Sequence, residues 1–226
     1  MLRMQGKCLY YIKRYDEAWM LMNQALDIAI QIDNKKQIVA CHKQLYYLCR
    51  EFKRMMNERG DEQASTLFFR ESLLHEMYFS EKPRLAELTV RYEALRCDIM
   101  QQYYMNKDYD NVIRIATSLD IHDDADPNAS CLVYYYKAQA YVKLENYSMA
   151  KEAFFREFEL RKKYLGWEEE DTILACQNLG VLYSFCNERE EALACFREAY
   201  GHEVKKNGED SEMAQKLLQY ISVVES

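Results

Sequence analysis

Residues 171–207, DTILACQNLGVLYSFCNEREEALACFREAYGHEVKKN, constrain the fold more than any other stretch. They read as two helices around a short polar turn. Leu179, Gly180 and Tyr183 mark the first helix; Ala192, Phe196 and Ala199 mark the second. The small residues at 180, 192 and 199 let two helix backbones approach, and Tyr183 and Phe196 fill the space beside them. Much of the remaining chain reads as weaker copies of this unit.

Residues 1–33 hold the first copy, with Gly6, Tyr15, Ala18, Met22 and Ala25 on the template. Gly6 to Ala18 spans 12 residues, as does Gly180 to Ala192. Asp16 and Glu17 open its second helix, where negative charge is favoured. The copy begins part-way through its first helix, so Met1 is expected to be an artificial start or the scar of a domain boundary, and the chain a fragment or the C-terminal part of a larger protein. Residues 35–79 predict helices near 35–57 and 61–79, with Ala40, Leu45, Leu48 and Phe52 as one inward stripe. Ala64, Phe68 and Leu73 or Leu74 are its expected partners, Gly60 the helix stop and Asp61 the next cap. Pro83 suits the first turn of a new helix. In the third copy, 83–120, Tyr109, Val112 and Ala116 take the positions of Tyr15, Ala18 and Met22. An acidic connector carrying Asp126-Pro127 leads to the fourth, 128–166, with Ala138, Tyr141, Tyr147, Ala150 and Phe154. Residues 211–224 are expected to form a helix that caps the array.

These residues and spacings resemble the tetratricopeptide repeat. Ala150 to Ala192 is 42 residues, longer than the ~34 of the standard repeat. With the segments KKYLGWEEEDTILACQNLGVLY and KKNGEDSEMAQKLLQYI, that interval resembles the kinesin-light-chain-like subclass. The resemblance implies an all-α fold: a right-handed superhelix, or α-solenoid, of about five helical hairpins plus a capping helix, forming a single array over residues 1–226. Only 6 Gly and 2 Pro occur, which also favours helices.

The net charge of −7 argues against a dominant phosphate-binding face, so no direct nucleic-acid binding is expected. Eight Cys fall mostly on apolar helix faces, where reduced thiols behave as small hydrophobes. That pattern, without a signal-like opening segment, points to a reduced, cytoplasmic protein. No apolar run approaches the ~18 residues of a membrane span. His42, His75, His122 and His202 lie far apart and show no recognised metal spacing, and His42 beside Cys41 reads as a surface neighbour of a core residue. The acidic run 168–171 reads as a solvated loop ending in an N-cap at Asp171. No CxxC, HExxH, GxGxxG, GxxxxGK or GxSxG is present, so neither metal, cofactor nor catalytic activity is expected.

The 19 Tyr include Tyr10-Tyr11, Tyr46-Tyr47, Tyr103-Tyr104 and Tyr134-Tyr135-Tyr136. Neighbours on a helix point about 100° apart, so one of each pair can pack inward while the other faces a groove. Packing between repeats, a binding surface and nucleotide stacking are the three readings of these residues. The resemblance implies that the first helix of each repeat lines a concave face. Carried over by position, the groove receives Arg3, Lys7 and Tyr10 from copy one; Cys97, Gln101 and Tyr104 from copy three; Tyr135, Gln139 and Val142 from copy four; and Gln177, Asn178, Val181 and Ser184 from copy five. Such a surface suits an extended or helical peptide. The function expected is therefore a non-catalytic scaffold for a protein or peptide partner. The alternative is a peptide-sensing or effector domain of a larger intracellular bacterial regulator. Apolar surface at the first repeat also leads to an expectation of self-association.

Overall fold

The computed structural model describes residues 1–80, 92–117 and 126–226. Among them lie eleven helices and no strand. They are α1 (Leu2–Tyr11), α2 (Tyr15–Gln31), α3 (Lys35–Arg59), α4 (Glu62–Glu76), α5 (Tyr92–Met105), α6 (Tyr109–Thr117), α7 (Pro127–Lys143), α8 (Tyr147–Tyr164), α9 (Glu170–Phe185), α10 (Arg189–Asn207) and α11 (Glu212–Glu225). The chain divides into two compact units, Met1–Asp120 with α1–α6 and Ile121–Ser226 with α7–α11. Within each, consecutive helices pair as antiparallel hairpins.

Side-chain caps place many of the helix starts. The side chains of Asn34, Asp61, Asp126, Asn146 and Ser211 accept hydrogen bonds from the backbone N–H three residues on, each contributing about 1 kcal/mol. Pro127 follows Asp126 at the first helical position, as the Asp-Pro pair predicts. The expected cap at Asp171 is corrected: Glu169 precedes α9, and Asp171 sits inside its first turn. There its Oδ2 accepts from Arg161 Nη1 at 3.0 Å, so Arg161, rather than a backbone cap, holds the carboxylate. The expected helix start at Pro83 and the first part of the connector before Asp126 lie outside the described residues.

Among the described residues one backbone device ends the first helix of all five hairpins, and α2 as well, at Asp33 with φ of 48°. At the end of α1, α3, α5, α7 and α9, a residue in the left-handed region turns the chain: Lys13, Gly60, Lys107, Glu145 and Asn187, with φ of 62°, 75°, 59°, 59° and 63°. Each turn carries the same two bonds. At Lys13 they are Lys13 N–H to Tyr10 C=O and Arg14 N–H to Leu9 C=O; at Gly60 they are Gly60 N–H to Asn57 C=O and Asp61 N–H to Met56 C=O. Lys107, Glu145 and Asn187 repeat the pair. This Schellman geometry satisfies the last carbonyls of each first helix and aims the second helix back along it.

Counting from those turns fixes the register of every copy. Five residues on stand Ala18, Ser65, Val112, Ala150 and Ala192, all buried. The second copy therefore uses Ser65 where the sequence suggested Ala64. Seven residues before the turns stand Gly6, Lys53, Met100, Ala138 and Gly180. A Cβ on Gly180 would lie 2.8 Å from the Phe196 ring and 3.1 Å from the Cys195 Cβ, so the close approach inferred from sequence is real. Gly180→Ala is expected to cost about 1–3 kcal/mol by overpacking, measured as a lowered midpoint in urea. At Gly201, where the added carbon meets nothing within 4 Å, alanine is expected to stabilise by up to about 1 kcal/mol.

Helix α11 closes the end of unit 2. Tyr220 stacks on Phe196 with ring centroids 5.1 Å apart, Ala214 and Leu217 are fully buried, and Arg189 Nε donates to the Val224 carbonyl at 3.0 Å.

Candidate functional site

In unit 2 the exposed sides of α7 and α9 border a hollow of about 240 Å³ lined by Gln139, Val142, Tyr147, Phe154, Asn178, Val181, Leu182 and Phe185. Helical spacing aligns Gln139 with Val142, and Asn178 with Val181, Leu182 and Phe185, on facing stripes. Phe185 is 68% exposed and Val181 41%. The structure thus brings together Gln139, Val142, Asn178 and Val181. Tyr135 packs beside this hollow, 6.5 Å from the Phe154 ring and 5.4 Å from Tyr136. Ser184 is half-buried on α9.

In unit 1 the groove positions assort differently. Tyr10 borders a polar hollow of about 490 Å³ together with Tyr47, Arg50, Glu51, Lys53, Arg54, Asn57, Phe69 and Ser72. Lys7 Nζ rests 5.9 Å from the centre of the Tyr11 ring. Arg3 is drawn elsewhere: its Nε donates to Gln37 Oε1 at 2.9 Å, beside Leu2 and Ile28. Gln101 is exposed on α5, and Tyr104 lies half-buried against Tyr109 at 5.5 Å.

Two groove assignments are corrected by burial. Gln177 is 5% exposed and Cys97 7%, so both are packed among helices. Counting ten, six and three residues back from Gly60 gives Arg50, Arg54 and Asn57 as the equivalents of Arg3, Lys7 and Tyr10; all three line the hollow beside Tyr10, and sequence reasoning missed them. The signal was present in Gly60 itself, which fixes that register. The tyrosine pairs divide largely as their spacing predicts, with Tyr46 buried and Tyr47 38% exposed.

A buried ionic network lies inside unit 1. Glu71 Oε1 accepts from Arg114 Nη2 at 2.5 Å, Glu71 Oε2 accepts from Tyr103 Oη at 2.6 Å, and His75 Nε2 stands 3.6 Å from Glu71 Oε1. Burial alone would raise the Glu71 pKa; Arg114, helped by His75 and Tyr103, reverses this and holds it at about 2. His75 Nδ1 is 2.9 Å from His42 Nδ1, so one ring donates and the other accepts. His42 stacks on Tyr78 at 3.7 Å and is fully buried, correcting its surface assignment. Glu71 and His75 share a helix face at i, i+4, and His42 reaches them from α3, 33 residues earlier. Donor atoms of Cys49, Glu71 and His75 all lie within 4.8 Å of one another. With the Arg114 guanidinium already on Glu71, that carboxylate is balanced by a fixed cation, and a further cation would sit beside it. The arrangement serves as an internal ion pair.

None of the eight cysteines is in a disulfide, and five are buried. No described helix is long and apolar enough to cross a membrane.

The hairpin α9–α10 that organises unit 2 is also the one that known families recognise. Residues 173–201 match the family model of the tetratricopeptide repeat. The solved structure of BtubC (BKLC) from P. vanneervenii is similar over 90% of this chain and 80% of that chain, with a TM-score of 0.55 and 14% identity. At that identity the likeness speaks for the fold alone, an all-α helical repeat of the solenoid class. Comparison with curated proteins gave no match. Together the matched repeat and the structural likeness support a tetratricopeptide-type protein. Such repeats generally serve as non-catalytic scaffolds that mediate protein–protein contacts.

Proposed function

We propose that the chain is a non-catalytic scaffold that binds a peptide segment of a partner protein on the faces presented by the first helices of its repeats. The observation that carries this reading is the unit 2 hollow. It combines an apolar floor, from Val142, Phe154, Val181 and Leu182, with two amides, Gln139 and Asn178. An amide donates and accepts at once, which suits a peptide backbone; the apolar floor suits side chains projecting from it. The 42-residue interval between Ala150 and Ala192, with its long second helices, supports a kinesin-light-chain-like subclass and a continuous array. A reducing compartment such as the cytoplasm suits buried cysteines that form no disulfide.

The test uses an immobilised random octapeptide array probed with the labelled full chain. Val181→Glu adds a charge to the hollow at a 41% exposed position, where folding tolerates it. One set of the peptides retained by the wild type is expected to lose at least tenfold in affinity for this variant. Unchanged binding by all retained peptides would remove the unit 2 hollow as the site.

A further inference from the structure

The chain carries a net charge of −7, yet α3 runs against it. Its 25 residues include seven Lys or Arg and two Glu, a local net of +5. Lys43, Tyr47, Arg50, Arg54 and Asn57 recur at helical spacing along one stripe, with Lys53 beside it. Arg54 is neutralised locally by Glu51 at 3.1 Å and Glu58 at 2.6 Å. The other cations are held differently. Lys53 Nζ lies 4.3 Å from the Phe69 ring centre, Arg50 Cζ 5.7 Å from Tyr46, and Lys43 Nζ 5.9 Å from Phe79; on α1, Lys7 lies over Tyr11. Among the described residues none of these four has a carboxylate partner.

An aromatic face fixes a cation in place without cancelling its charge. The rings thus immobilise long side chains that would otherwise lose rotamer freedom on binding, and leave their positive potential open to solvent. Arg50 and Lys53 border the 490 Å³ hollow, with Tyr10 and Tyr47 on its walls. Its one carboxylate, Glu51, is already engaged by Arg54.

We propose that this face of unit 1 binds an acidic peptide segment, with Asp or Glu side chains of the ligand meeting Lys43, Arg50 and Lys53. The proposal rests on the peptide-scaffold reading above and names the chemistry of the partner. From Lys43 to Arg54 the helix rises about 17 Å, the reach of about five extended residues. Two or three carboxylates in such a segment match the three cations. A short peptide feels mainly this local field. A long nucleic acid would also meet the chain's overall negative charge, and four cations make a small footprint for a polyanion.

The experiment returns to the octapeptide array with the full chain at about 0.1 M salt. Three proteins are compared: wild type, the charge reversal Arg50→Glu with Lys53→Glu, and the milder Arg50→Gln with Lys53→Gln, each checked by circular dichroism. Peptides retained by the wild type are expected to be enriched in Asp and Glu. Their affinity should fall at least tenfold in the neutral variant and further in the reversal, and weaken as salt is raised. Val181→Glu is expected to leave the acidic set bound. An absence of acidic enrichment, or enrichment unchanged by both Arg50/Lys53 variants, overturns the proposal. So does a single-stranded DNA 12-mer that binds more tightly than every octapeptide and is lost in the same variants. If retained peptides depend on Val181 and not on Arg50 or Lys53, the acidic-peptide proposal fails while the scaffold reading stands. Dependence on Arg50 and Lys53 alone keeps the acidic-peptide proposal and removes the unit 2 hollow.

Discussion

Replacing Glu71 with Ala is expected to destabilise unit 1 by about 3–5 kcal/mol, since removing one member of a buried ion pair strands the other. Arg114 would keep its charge with its side chain only 10% exposed, and the Tyr103 hydroxyl would lose its acceptor. Glu71→Gln preserves an acceptor for Tyr103 but not the negative charge, so it should fall in the same range. The exposed pair Arg14–Glu17, at 55% and 45% exposure, is the internal control: Glu17→Ala should cost less than about 1 kcal/mol. Denaturant melts followed through Trp19, whose ring lies 4.8 Å from the Arg114 guanidinium, report on the relevant unit. A loss below about 1 kcal/mol for both Glu71 variants would show that the pair contributes no more than a surface one.

Acid should act on the two units with opposite sign. His42 is held well below the ordinary histidine pKa by burial first, then by His75 and Arg114; burial also lowers His75. Above pH ~6.5 both are neutral whether the chain is folded or not, so their effect is constant. As pH falls below that value, the unfolded chain takes up protons that the folded unit refuses. Stability then drops by up to about 1.4 kcal/mol per pH unit for each ring. Glu157 in unit 2 behaves inversely. Burial pushes it up to about 7 against the pull of Arg161, although Arg161 Nε donates to its Oε1 at 2.9 Å. The folded unit keeps a proton there that the unfolded chain releases near pH 4.5, so this contribution is full below 4.5 and is lost as pH rises through 7. The chain's 2 Trp, Trp19 and Trp167, fall one in each unit, so Trp19→Phe and Trp167→Phe leave separate reporters. Between pH 6.5 and 5 the unit 1 melt should weaken while the unit 2 melt strengthens. The same direction in both would exclude this assignment.

Copies one and five were legible in the sequence because Gly6 and Gly180 stand where two helices touch and leave unambiguous marks. Copy two was not, because Lys53 occupies that position and sets its ammonium over Phe69, 16 residues on, as Gly180 meets Phe196. A lysine there carries no signal of close packing, so Ala64 was preferred to Ser65 and the Arg50, Arg54 and Asn57 stripe went unseen. Helical position located Gln139, Asn178 and Val181, but it could not foresee that Gln177, one residue earlier, turns into the core. The His42–His75–Glu71 network was hidden for another reason. Glu71 and His75 share α4 and His42 comes from α3, 33 residues before His75, and a histidine beside a buried cysteine looks like surface until its partner is known.

The five turns are written almost wholly in the main chain. Their bonds join backbone N–H to backbone C=O, and four of the five pivots are Lys, Lys, Glu and Asn rather than Gly. A duplicated hairpin can therefore shed its marker side chains one by one and still bend at the same place. The corner thus outlasts the residue pattern: the repeat is recognised by residue identity over 173–201, while all five hairpins turn in the same way.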